Sequence, residues 1–145
     1  MNEKLEQQLY SRYPKLFARA SSPETVSAMH WGICCGDGWY NLIEAACRLI
    51  QHHVDRQTKL KKEASQVEFE QIKEKFGELR LYTNHTNDEY VTGVLQMAEL
   101  LSGVTCESCG SPGTVQTLPN GHWMTCYCNV CRQRIIDSRQ NDSSP

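Results

Sequence analysis

The residues best able to do chemistry in this chain are its eight cysteines. Five of them, Cys106, Cys109, Cys126, Cys128 and Cys131, fall inside one 26-residue window. Cys106-Glu-Ser-Cys109 and Cys128-Asn-Val-Cys131 form C-x2-C, a gap of 18 residues, and C-x2-C. Each such turn aims two thiolates at one point. Two turns at the tips of facing hairpins would complete a closed tetrahedral site of the kind that holds Zn2+ structurally, with no position left open for a substrate. A segment of about 35 residues buries too little apolar surface to fold alone, so metal binding would supply the missing stability. The spacing therefore predicts one structural Zn2+ held by Cys106, Cys109, Cys128 and Cys131. Cys126 could replace a ligand or pack as a small hydrophobe. His122, beside the Pro119-Asn120-Gly121 turn, is the other candidate replacement.

The remaining reactive groups point less clearly to chemistry. Vicinal cysteines face away from each other in regular backbone, so Cys34 and Cys35 are expected to be buried beside Trp31 and Trp39, with Cys47 packed in the same way. A nucleophilic cysteine needs a neighbouring base or the field of a helix start, and Cys35 lies close to a helix start. Asp37 with His30 and Glu44 would be the acid/base set of a small hydrolase built on the GDGW loop. The competing reading makes Asp37 a helix cap, His30 a surface residue and Glu44 an ordinary helix residue, and no second motif supports catalysis. His52 and His53 are adjacent and cannot share a helix face.

A chain of 145 residues, 39% hydrophobic and 22% charged, can pack one core with a small appendage. Its net charge of -2 excludes simple electrostatic attraction to nucleic acid or anionic membrane as the main driving force. Its longest apolar runs, such as Leu16 to Ala18, are three residues long, against about 20 needed to span a bilayer. The chain is expected to have no membrane association and to stay in a reducing cytosol.

The elements that must position these residues follow from hydrophobic periodicity. Leu5 and Leu9 predict a short amphipathic helix from Asn2 to Tyr10, ended by Pro14. The glycine-rich WGICCGDGWY stretch reads as a tight, shaped loop. Trp39, Leu42, Ile43, Ala46, Leu49, Ile50 and Val54 recur at spacings of three and four and predict the central helix, running to about Glu63. Alternation of Val67, Phe69 and Gln71 with Glu68 and Glu70, and of Leu79 and Leu81 with Arg80 and Tyr82, predicts a hairpin around Gly77. Thr86 and Glu89 have capping-box spacing, and Tyr90, Val94, Met97, Ala98 and Leu101 are expected to form the buried face of the next helix. Thr92, Gln96 and Glu99 form its polar face. Residues 104–136 are expected to form the zinc ribbon and 137–145 a disordered tail, after a helical body with a β-hairpin at 1–103. The fold class is thus α+β.

The blocks WGICCGDGWYNLI, IKEKFGELRLY and CESCGSPG together resemble a group of small proteins encoded by tailed bacteriophages and prophages, over roughly Tyr13 to Cys131. The resemblance implies a bacterial cytosol and an accessory gene product that binds and inhibits a host defence or regulatory protein. In that pattern the second pair aligns with Cys128 and Cys131 and leaves Cys126 as a peculiarity of this chain. Trp31, Trp39 and Phe76 are expected to build the core around the long helix. Asp37, Lys75, Glu78 and Arg80 are the candidates for contact with a partner. Nucleic acid is the alternative partner. Against it, residues 104–136 carry only Arg132 and Arg134 against Glu107, and the lysines at 59, 61, 62, 73 and 75 are interleaved with Glu63, Glu68, Glu70 and Glu74 as in a solvated, mixed-charge face.

Overall fold

The computed structural model describes all residues except 24–26, 61, 63, 64, 85, 86, 120, 122 and 142–145. Asn2 accepts a hydrogen bond from the Leu5 amide and starts α1 (Glu3–Arg12), which buries Leu9. Single 3-10 turns at Ala18–Ser21, Ala28–Trp31 and Asp37–Trp39 carry the chain around the core to α2 (Tyr40–Lys59). The three-four spacing holds in α2, where Ile43, Ala46, Cys47, Ile50 and Val54 are all buried. The helix ends four residues before the expected Glu63, which lies outside the described residues. Arg56 and Lys59 occupy its last turn, where cations meet the negative end of the helix dipole.

The predicted hairpin forms from β2 (Phe69–Lys75) and β3 (Glu78–Thr83), and the glycine-rich loop adds a short parallel strand, β1 (Ile33–Cys34), to give the order β1-β2-β3. A bulge between Phe69 and Gln71 shifts the strand period, so Phe69 and Ile72 point into the core and Gln71 does not. Strand geometry also sorts the charges that looked mixed in sequence. Glu68 and Glu70 both pair with Arg19, at 2.8 and 2.9 Å, whereas Lys73 and Lys75 alternate with the buried Ile72 and the half-buried Glu74.

Helix α3 (Glu89–Ser102) is capped by Asp88, which accepts from the Tyr90 and Val91 amides; Thr86 lies outside the described residues. The helix covers the edge of β3. Ser102 Oγ accepts the Leu79 amide at 2.8 Å and Glu99 Oε1 accepts the Leu81 amide at 3.0 Å. Satisfying these edge donors rotates α3 away from the expected orientation. Of the expected face Ala98 is buried and Val94 packs against the core, whereas Tyr90, Met97 and Leu101 are exposed; Val91 and Ser102 are buried instead and Glu99 turns towards the sheet. No helix among the described residues is long and apolar enough to cross a membrane.

The C-terminal part contains a second hairpin, β4 (Thr114–Thr117) with β5 (Met124–Tyr127), and then α4 (Asn129–Asn141). Helix α4 takes in residues 137–141 of the expected disordered tail. The α+β class is as predicted.

Candidate metal centre

The thiols of Cys106, Cys109, Cys128 and Cys131 converge, with their sulfur atoms all within 4.8 Å of one another. Cys109 Sγ and Cys128 Sγ are 3.7 Å apart. Sulfurs bound to Zn2+ at about 2.3 Å stand about 3.8 Å apart along the edge of a tetrahedron, so the donor set fits a four-coordinate soft metal ion. The first pair lies in a tight turn in which Gly110 N–H donates to Cys106 O at 2.8 Å and Cys106 N–H to Ser111 O at 2.7 Å. The second pair does not lie at a hairpin tip. Cys128 follows β5 and Cys131 sits in the first turn of α4, with the Cys131 amide 3.4 Å from Cys128 Sγ. A helix start presents free N–H groups and a positive dipole end, both of which favour thiolate. Hydrogen bonds from Ser111 hold the Cys109 thiol down at about 6, whereas burial pushes Cys131 up to about 12. A bound cation would favour thiolate at all four positions.

The centre is fastened to the body by the glycine-rich loop, which sequence reasoning did not connect to it. Gly36 N–H donates to Glu107 Oε1 at 2.9 Å, Gly38 N–H to Glu107 O at 2.8 Å, and Trp39 Nε1 to Thr105 O at 2.8 Å. A Cβ on Gly38 would run into the Cys106 carbonyl and the amide nitrogens of Cys109 and Gly110. Glycine is needed there because backbone meets backbone. Burial raises the Glu107 carboxyl above its ordinary range even though Gly36 N–H donates to it. At the opposite side, Gly77 in the first hairpin packs against Val115 and Thr125 of the second. The C-terminal unit is therefore seated on the body at two places and does not hang from Gly103.

Cys126 is fully buried in the main core and stands outside the converging set, so it packs as a small hydrophobe. His122 lies outside the described residues. Cys35 and Cys47 are buried as expected, but Cys34 is exposed, because alternation in β1 turns Ile33 inward and Cys34 out. Burial pushes the Cys35 thiol up to about 12, the opposite of what an activated nucleophile needs. Cys47 is raised for the same reason.

The proposed acid/base set does not assemble. Asp37 accepts hydrogen bonds from Asn2 N and Nδ2, both at 2.7 Å, beside the Met1 amino group, which donates to the Ile33 and Cys35 carbonyls. The Asn2 bonds hold the Asp37 carboxyl below its ordinary range. Asp37 thus joins α1 to the loop and does not cap α2, whose first residue follows Trp39 without a side-chain cap. Glu44 accepts from Arg12 and Tyr13 instead, and His30 stacks edge-on with Trp31.

Of the other candidates for partner contact, Lys75, Glu78 and Arg80 lie on the first hairpin, where Arg80 pairs with Glu78 at 2.7 Å. The aromatic residues depart furthest from expectation. Trp39 is fully buried, but Trp31 and Phe76 are 63% and 64% exposed. The cause is local: Trp31 ends a 3-10 turn and Phe76 occupies the hairpin tip, so neither faces the core. Comparison with known protein families, curated proteins and solved structures finds no match for this chain.

Proposed function

We propose that this chain is a zinc-stabilised binding protein with no catalytic role, which acts by engaging a protein of a bacterial host as a phage-encoded counter-defence inhibitor would. The observation that carries the reading is the pair Phe76 and Trp123, large aromatic side chains left 64% and 67% exposed on two docked hairpins. Trp123 is also fixed by a hydrogen bond from Nε1 to Glu74 Oε2 at 3.1 Å. Rigid aromatic anchors with little entropy left to lose are the residues that dominate protein interfaces. The four-thiol set supports the non-catalytic half of the reading, because four thiolates complete a tetrahedral Zn2+ site and leave no position for a substrate. The bacteriophage setting rests on the resemblance of the WGICCGDGW, KEKFGELRLY and CESCG blocks.

Two measurements test this. Metal analysis of the purified chain is expected to give about one zinc per chain, falling with Cys106→Ser. Affinity capture from a bacterial lysate is expected to recover a stoichiometric protein that Phe76→Asn/Trp123→Ser releases. Absence of metal, or the same capture by wild type and variant, would overturn the reading.

A further inference from the structure

Phe76 is the only non-glycine residue with positive φ among the described residues. It and Gly77 form a two-residue hairpin turn with φ of 57° and 79°, positions that Asn and Gly fill without strain and that a bulky aromatic does not favour. Its ring is not retained for the core, since it is 64% exposed. Strain held at an exposed aromatic points to a use outside the fold.

Phe76 forms one wall of a cleft of ≈ 380 Å³, lined also by Lys73, Glu74, Lys75, Trp123 and Met124, where the tip of the first hairpin meets the second. That volume suits one bulky apolar side chain with part of its backbone. The charges of the lining are unequal in availability. Glu74 is engaged inside the molecule, its Oε1 accepting Gly77 N–H at 2.6 Å and its Oε2 accepting Trp123 Nε1. The neighbouring Glu78 is held by Arg80. Neither Lys73 nor Lys75 has an ion pair among the described residues, and both ammonium groups sit over rings instead, Lys73 5.6 Å from the Tyr82 centroid and Lys75 5.4 Å from that of Phe76.

We infer that this cleft binds an acidic linear peptide segment, one bulky apolar side chain entering between Phe76 and Trp123 while flanking carboxylates pair with Lys73 and Lys75. The inference rests on the reading above that the chain works by binding a protein. Single-stranded nucleic acid is the less suitable anion. It needs open ring faces for stacking and a continuous cationic track, whereas one face of Phe76 and one of Tyr82 are already covered by lysine.

The test is a selection from a random linear-peptide library on the zinc-loaded full chain, with counter-selection on Phe76→Asn/Trp123→Ala. Enriched peptides are expected to carry Phe, Leu or Trp between Asp and Glu. Their affinity should weaken about tenfold or more in Trp123→Ala and in Lys73→Ser/Lys75→Ser, and should fall as salt rises. Phe76→Asn separates binding from folding, because Asn suits the turn and the variant should melt no lower than wild type while losing the peptide. No enrichment that depends on the cleft, enrichment of basic peptides, or oligo(dT) displacing the selected peptide would each overturn the inference. If no acidic peptide is enriched on the cleft while Phe76→Asn/Trp123→Ser still releases the captured bacterial protein, the peptide inference fails and the binding function stands.

Discussion

Stripping the metal from the four-thiol centre is expected to unfasten Trp39, although that residue belongs to the body of the protein. The turn of Cys106 and Cys109 is held to the glycine-rich loop through three hydrogen bonds, from Gly36 N, Gly38 N and Trp39 Nε1. At about 1 kcal/mol each, their loss amounts to about 3 kcal/mol, a large share of the 5–15 kcal/mol by which domains are stable. For a domain of roughly this size, 1 kcal/mol moves the midpoint of melting by about 2–4 °C, so the metal-free body should melt about 6–12 °C lower. The chain has three tryptophans, and Trp31 and Trp123 are both exposed. A Trp31→Phe/Trp123→Phe background therefore leaves the buried Trp39 as a clean reporter. Chelation should shift its emission to the red as Thr105 and its neighbours move off the indole, and added zinc should reverse the shift. Unchanged emission and an unchanged midpoint on a chain shown by metal analysis to be stripped would refute the coupling.

Phe76→Asn should raise stability by about 1 kcal/mol, because it relieves a positive φ at an exposed position; a loss of that size in denaturant melts would mean that the ring supports the fold. Cys126→Ser should leave the metal content unchanged while lowering stability by about 1–3 kcal/mol, since a hydroxyl would replace a thiol in the core, and a fall in bound metal would instead make Cys126 a ligand. Asp88→Ala should cost about 1–2 kcal/mol and Asp88→Asn less, because Asn also caps. Burial raises the Asp88 carboxyl, but the bonds from His53 and the Val91 amide outweigh it and hold it below its ordinary range. Its charge therefore stabilises fully above the unfolded value of about 4 and is lost as pH falls through the folded value, so wild type and Asp88→Ala should converge only in acid.

The parts of the fold that could be read from sequence are those whose cause is local. Cysteine spacing fixes what a turn can aim at one point, and the period of α2 appears because one face meets the core along its whole length. The orientation of α3 was legible only in part, since Val94 and Ala98 meet the core as expected but Tyr90, Met97 and Leu101 do not. Two stripes of EYVTGVLQMAELLS are apolar enough to be buried, and the choice between them is made by Ser102 and Glu99, which serve amides on a strand about 20 residues away. The bulge that replaces Gln71 with Ile72 on the inner face is likewise a matter of pairing. Helix α4 carries only Ile135 and Ile136 after its first turn, too little for a period, and begins where Cys128 and Cys131 are gathered.

The glycine-rich block shows why motif and interface need not coincide. Taken alone, WGICCGDGW has the marks of a presented surface, with glycines to shape it, Asp37 to make contacts and tryptophans at its rim. In the fold its glycines allow approach to the metal turn across 71 residues of chain, and Asp37 is tied to Asn2. A block used in this way is constrained by what it touches inside the molecule, so its glycines and Asp37 are not free to meet a partner. The first hairpin has residues that face outward. Strand alternation puts Ile72, Leu79 and Leu81 in the core and leaves Lys73, Lys75 and the Phe76 tip outside, against Trp123 from the second hairpin. Because the second hairpin is built on the segment between the two cysteine pairs, a metal held by them would fix the mount of Trp123, and with it the proposed binding surface, without touching either. Losing the metal should free the mount of Trp123 while leaving the indole itself intact.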